Sequence, residues 1–220
     1  MSQAINQKKV GENSMINHPM IFKGLGFMLI AIPIMFLLLI GNPTIANAQT
    51  DPNQLTKAVQ EIEALDGMRT QLASTLKNQP EAPDLDTFKQ VCKPVGIRAK
   101  QLSQENGWKV RQIANKYRNP VHSPNSLQET MALANFEQNP ELMGFWQREM
   151  MKGEKGTAYY RRINVEGSCL ACHGAKNSRP KFVQEKYPQD LAYDFKEGDL
   201  RGMYGVFIPD IQAALTEFTP

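Results

Sequence analysis

Apolar residues recur at spacings of three and four from Leu55 through Val59, Ile62, Leu65, Met68, Leu72 and Leu76. That spacing predicts one long amphipathic helix starting near Asp51. Asn78 to Pro83 reads as a linker. A second helix is predicted from Asp84, with Phe88, Val91, Cys92, Val95, Ala99 and Leu102 on one face. Pro94 and Gly96 predict a kink or an early break in it. Asn106-Gly107 marks a turn. Trp108 to Tyr117 alternates apolar and polar residues and predicts a strand. Ser126 with Glu129 predicts a capping box for a helix through Phe136, and Leu142 to Met151 is predicted helical. Thr157 to Val165 and Met203 to Ile208 are predicted strands, and Ile211 to Phe218 a short helical tail. Helices mixed with several strands imply an α+β fold built on an antiparallel sheet.

The first 48 residues follow another pattern. Lys8, Lys9 and Lys23 precede an apolar run from Leu25 to Ile40. Gly41, Asn42 and Pro43 end the run, and Ala46-Asn47-Ala48 is an A-x-A cleavage signal. A basic start, an apolar centre and a small-residue exit predict a secretory signal peptide over 1–48. An uncleaved anchor is the competing reading. The run is short for a membrane span, and Pro33 sits inside it. The expected organisation is then 49–83 for the leading helix and linker, 84–210 for the main domain and 211–220 for a tail. The part beyond Ala48 is long enough to bury one core.

Composition narrows the function classes. The chain has 220 residues and a net charge of +3. Lys and Arg are mixed with Asp and Glu, and no basic stripe points to nucleic acid. There are three cysteines and three histidines. His18 falls in the leader, so His122 and His173 are the imidazoles left for metal chemistry.

Cys169-Leu170-Ala171-Cys172-His173 is the C-x-x-C-H attachment pattern for c-type haem. Two thiols that add across two vinyl groups must sit a short, fixed distance apart. The next residue then falls beneath the ring, where an imidazole can take an axial position on iron. Rival readings are weaker. A Cys169–Cys172 disulfide closes a strained ring, and the redox proteins that use one carry a thioredoxin-like βαβ context absent here. Zinc held by Cys92, Cys169, Cys172 and a histidine would have one ligand pair where zinc sites usually have two. The candidates for the other axial position are Cys92, His122, a methionine, or none. Spacing alone does not choose between Cys92 and His122, and core packing is the expected role of most methionines. Arg161, Arg162, Lys176 and Arg179 flank the motif and are candidate partners for the haem propionates.

The stretch from Phe88 to Ile208 resembles a family of c-type haem domains with a PAS-like fold. That family occurs in cyanobacterial lumenal or periplasmic proteins and at the sensory end of some bacterial histidine kinases. The matching blocks are Val91-Cys92-Lys93, Arg118-Asn119-Pro120, Cys169-Leu170-x-Cys172-His173-Gly174, Lys186-Tyr187-Pro188-x-Asp190-x-Ala192 and Gly198-Asp199-Leu200-Arg201-Gly202. The resemblance implies a PAS-like antiparallel sheet flanked by helices and one covalently attached haem. It also implies Cys92 as the axial ligand opposite His173. Asp194 departs from the pattern, standing where the family tends to have Gly, and Pro94 lies close enough to Cys92 to shift its thiol.

A His/Cys haem is expected to be six-coordinate, low-spin and of low potential, because thiolate favours ferric iron. The expected role is redox or gas sensing, with low-potential electron transfer as the alternative. A haem enzyme is least expected, since two strong ligands leave no open position. No catalytic domain follows the last strand up to Pro220, so a sensory role would need a separate redox or signalling partner. The leading helix could also pair two copies. The expected location is the periplasm or thylakoid lumen, with a membrane contact only if the leader stays on. Intact-mass measurement of the exported protein should give a chain beginning at Gln49; a mass that retains Leu25 to Ile40 would overturn the cleavage reading.

Overall fold

The computed structural model describes residues 50–78 and 81–210. The leader and the tail helix expected at Ile211 to Phe218 lie outside these residues. Among the described residues, no helix is long and apolar enough to cross a membrane.

The leading helix is present as α1 (Pro52–Ser74). Asp51 caps it by accepting from the Asn53 N–H, and Pro52 opens the first turn, where no N–H is needed. The second predicted helix is divided. Asp84 and Thr87 form a reciprocal capping box for α2 (Leu85–Val91), and α3 (Lys93–Asn106) follows. The break falls on Cys92. Pro94 lies in the first turn of α3, so it starts a new helix without losing an internal hydrogen bond. Gly107, with φ 69°, ends α3 in the left-handed conformation that glycine adopts without cost.

The sheet has four antiparallel strands in the order β1-β4-β3-β2: β1 (Lys109–Ile113), β2 (Gly144–Met151), β3 (Glu154–Asn164) and β4 (Leu200–Pro209). This is the α+β, PAS-like arrangement expected. The predicted strand over Trp108 to Tyr117 ends early, at Ile113. Short helices α5 (Leu170–His173) and α6 (Lys181–Lys186) lie between β3 and β4.

The segment Leu142 to Met151 is a correction: it forms β2, not a helix. It pairs with β3 from Gly144↔Arg161 to Met151↔Glu154. Lys152 and Gly153 both have positive φ, the two-residue turn that suits a hairpin twist. Phe145 stacks near Tyr160 and Trp146 near Tyr159, with centroids 5.5 and 4.6 Å apart. Cross-strand aromatic pairs and a full ladder outweigh the helix preference of Gln147, Arg148, Glu149 and Met150. The capping box at Ser126 is half realised. Ser126 caps α4 (Leu127–Gln138), but Glu129 turns away to accept from Asn125 N–H and from Arg111.

Both faces of the sheet are covered. On one, α1 and α3 bring Ala58, Ile62, Leu65 and Leu102 against Tyr159, Tyr204, Val206 and Ile208. On the other, α4 brings Ala132, Leu133 and Phe136 against Ala158, Tyr160 and Met203. The apolar stripe of α1 is therefore spent on its own domain. The methionines divide differently from expectation: Met203 is buried, whereas Met131, Met143 and Met150 are exposed. Truncating Leu65, which is fully enclosed, should lower the unfolding free energy by about 2–5 kcal/mol. Urea denaturation of Leu65→Ala measures this, and an unchanged midpoint would mean α1 is not part of the core.

A cation-lined cavity at the C-x-x-C-H turn

The register places the end of β1 against the start of β4: Ile113 faces Met203. The end of β3 reaches the same point, with Ile163 opposite Gly202 and a register shift just after it. Gly202 has φ 153°, and a Cβ there would lie 2.4 Å from the Ile113 carbonyl oxygen. Only glycine lets the strands approach so closely where the sheet ends.

A cavity of about 460 Å³ opens at this end of the sheet. That volume falls in the roughly 300–1,000 Å³ range of cofactor clefts. Its apolar wall includes Phe88, Val91, Val95, Ile97 and Ile163. Cys92, Cys169, Cys172, His173 and His122 all line it. The four predicted site residues thus converge, although Cys92 is remote from the others in sequence.

Local structure explains each position. Cys169 ends a short 3-10 turn and Cys172 lies in α5. Residues three apart in a helical turn share a face, so both thiols meet the same cavity. All three cysteines are free thiols. Cys92 sits at the junction of α2 and α3, with its N–H donating to the Phe88 carbonyl. Cys92 is exposed and lines the cavity, and desolvation by the surrounding protein pushes its thiol pKa up. Burial likewise pushes the Cys172 thiol up to about 11. Among the described residues, no group of three or more His, Cys, Asp or Glu is arranged to hold a metal ion.

The orientation of His173 is set by its neighbours. Its Nδ1 lies 2.8 Å from the Ala192 carbonyl oxygen and 3.3 Å from Arg118 Nη2. Both cannot be satisfied by one nitrogen. The shorter contact assigns Nδ1 the proton, donated to Ala192, while Arg118 Nη2 donates to the Cys172 carbonyl at 2.7 Å. Nε2 is then the free lone pair. Burial, with Arg201 and Arg118 nearby, holds the imidazole pKa well below its usual value. A neutral imidazole with an anchored Nδ1–H is the form that binds a metal.

Asp190 holds this arrangement from behind. Its buried carboxylate accepts from the Ala192 N–H at 2.9 Å and from Arg179 Nη1 at 2.8 Å, and faces Arg118 Nε at 3.5 Å. At Asp194 the backbone is left-handed, with φ 55°, and its carboxylate accepts from the Lys176 N–H. That conformation explains the departure from glycine: aspartate tolerates it and anchors itself locally.

The cations at the cavity were not the ones expected. Arg161 pairs with Glu63 and Asp66, Arg162 donates to the Phe136 carbonyl, Arg179 pairs with Asp190, and Lys176 lies over the Tyr193 ring. None lines the cavity. Arg69, Arg118 and Arg201 do. Arg69 is held by Asp66 at 2.7 Å and approaches Cys169 Sγ at 3.8 Å. Arg201 donates to the Lys116 carbonyl at 3.1 Å. Burial beside Arg118 lowers its pKa to about 10, so it remains a cation at neutral pH. Arg118, Asp190, Ala192 and Arg201 all fall within the blocks of family resemblance, which was the available signal for them.

The chemistry of this donor set fits a haem: two thiols one turn apart, a neutral imidazole next to them, a third thiol on the wall, and guanidinium groups suited to carboxylates. The fold and site define a class, a PAS-like α+β domain with a cation-lined cleft over a C-x-x-C-H turn. Residues 47–209 match the Tll0287-like family, and the chain belongs to it. It is similar in structure to the crystal structure of the cyanobacterial heme-protein Tll0287, with 55% sequence identity and a TM-score of 0.67. The similarity covers 74% of this chain and 99% of that one. No curated relative matches the chain.

Replacing Asp190 by alanine should cost on the order of 3 kcal/mol, because Arg118 and Arg179 lose a buried counter-charge. A denaturant titration checks this; a cost under about 1 kcal/mol, the value of a surface pair, would mean that Asp190 organises nothing.

Proposed function

We propose that this chain carries one haem c, attached through Cys169 and Cys172 and ligated axially by His173 and Cys92. The observation that carries the reading is the convergence of these four side chains on one cavity whose other polar wall residues are largely cationic. The similarity to a cyanobacterial heme-protein at 55% identity supports haem binding independently of the motif.

When bound, the haem supplies a one-electron iron couple. The protein's own groups do the rest. His173 presents Nε2 because Ala192 holds its Nδ1–H. Arg118 and Arg201 offer charge to the propionates, and the apolar wall from α2 and α3 excludes water. An anionic thiolate from Cys92 favours the ferric state and lowers the potential.

The role this chemistry supports best is redox or gas sensing in an exported protein of the periplasm or thylakoid lumen, with a separate redox or signalling protein as partner. With both axial positions taken, the site is read as non-enzymatic. Electron transfer is the second reading. It is favoured by the partial exposure of Cys172 and His173, which brings the attachment turn near the surface.

The deciding measurement is a spectrum and redox titration of the purified holoprotein and of Cys92→Ala. Loss of the thiolate should change the ferric spectrum and raise the potential by on the order of 100 mV, within the ~0.8 V range that axial ligands span. An unchanged spectrum would remove Cys92 from the site. A fast couple with constant ligation would favour the carrier, and ligand loss with gas binding the sensor.

A further inference from the structure

His122 lies outside the ligand set proposed above, yet it is held as firmly as a site residue. Arg111 Nη2 donates to the carbonyls on both sides of it, Val121 at 3.1 Å and Ser123 at 3.0 Å. The Ala114 N–H donates to the His122 carbonyl, and the His122 N–H donates to the Asn119 carbonyl, both at 2.9 Å. The ring is also anchored: Nδ1 lies 3.0 Å from the Gln112 carbonyl oxygen. A carbonyl only accepts, so Nδ1 carries the proton and Nε2 keeps a free lone pair. Among the described residues, no protein group bonds to Nε2. Burial lowers the imidazole pKa, so the ring is neutral at physiological pH.

His122 borders the haem-sized cavity and a second cavity of about 230 Å³. Gly96 borders both cavities as well, and it lies one helical turn beyond Cys92 on α3. Apart from its chain neighbours and the backbone of its own helix, no heavy atom among the described residues lies within 4 Å of where a Gly96 Cβ would be. Helix α3 therefore leaves open space one turn along from the thiol, on the side that His122 borders.

We propose that His122 is an alternative axial donor to the same iron, taking the position that Cys92 leaves when the iron is reduced. The inference rests on the haem reading above. A one-electron donor protein delivers its electron to the iron, whose positive charge falls by one, and the anionic thiolate is held less strongly. Cys92 Sγ leaves with its electron pair and takes a proton from solvent. Nε2 of His122 places its lone pair on the freed position, while its Nδ1–H stays on Gln112. One-electron oxidation reverses each step. His122 thereby competes with any small gas for reduced iron, which makes it the residue that sets gas sensitivity.

The test compares holoprotein with wild-type sequence, His122→Ala, His122→Gln and Cys92→Ala by visible absorption and resonance Raman, oxidised and after dithionite. Wild type should be six-coordinate and low-spin in both states. Both His122 variants should match wild type when ferric, which serves as the folding control, and become five-coordinate and high-spin when reduced. Added imidazole should restore the low-spin form in His122→Ala, and carbon monoxide should bind at least about tenfold more tightly, because its site is no longer occupied. Cys92→Ala should be low-spin in both states. Reduced His122 variants indistinguishable from wild type would overturn the proposal, as would a high-spin reduced Cys92→Ala. Pyridine haemochrome spectra of the denatured proteins separate the two readings. Wild type without covalent haem sinks the haem assignment itself, whereas attached haem with unaltered His122 variants sinks only the role of His122.

Discussion

The pairing of β3 with β4 is the constraint on which the rest of the molecule depends. Both strands are buried on both faces along most of their length, with α1 and α3 above and α4 below. Their register leaves no freedom at the end of the sheet. It sets Ile163 against Gly202, and it brings β1 in so that Ile113 lies beside the same glycine. The strands then diverge, and the chain leaving β3 goes directly into the C-x-x-C-H turn. A slip of one residue would exchange the two faces of the sheet and carry the turn away from α3.

Charge is the second organising influence, and it works in two layers. Asp66 and Asp190 are buried carboxylates behind the cavity, each shared between two arginines: Arg69 and Arg161 for one, Arg118 and Arg179 for the other. In each pair one arginine closes the scaffold and the other reaches the cavity. Arg201 adds a half-buried cation bonded only to a backbone carbonyl among the described residues. The result is a site whose guanidinium groups favour carboxylates, while burial raises the pKa of the Cys92 and Cys172 thiols.

The break between α2 and α3 shows how local and tertiary effects combine. Pro94 cannot continue a helix from α2, so the chain restarts at Cys92 and turns its thiol to the cavity. The proline that seemed a threat to the thiol's position is what creates it. The same logic holds at Asp194, where a left-handed backbone wanted by the fold is met by an aspartate that bonds its own neighbourhood.

Much of this was legible in the sequence. Helical periodicity gave α1 and its start near Asp51, the two β-rich runs gave β3 and β4, and Cys169, Cys172 and His173 were readable as one motif because their chemistry is local. Cys92 came only through family resemblance, since nothing in spacing distinguishes a ligand thiol from a buried one. Tertiary structure decided the rest. Gln147 to Met150 have helical preferences that only pairing with β3 overrules. Arg161, Arg162, Lys176 and Arg179 are near the motif in sequence, yet Arg69, Arg118 and Arg201 reach the cavity, because side chains meet across elements rather than along the chain. Spacing alone left His122 level with Cys92, and only the Arg111 strap and the cavity wall place it beside the site. A sequence determines what is periodic or contiguous; which distant groups share a site is fixed by strand register and helix packing.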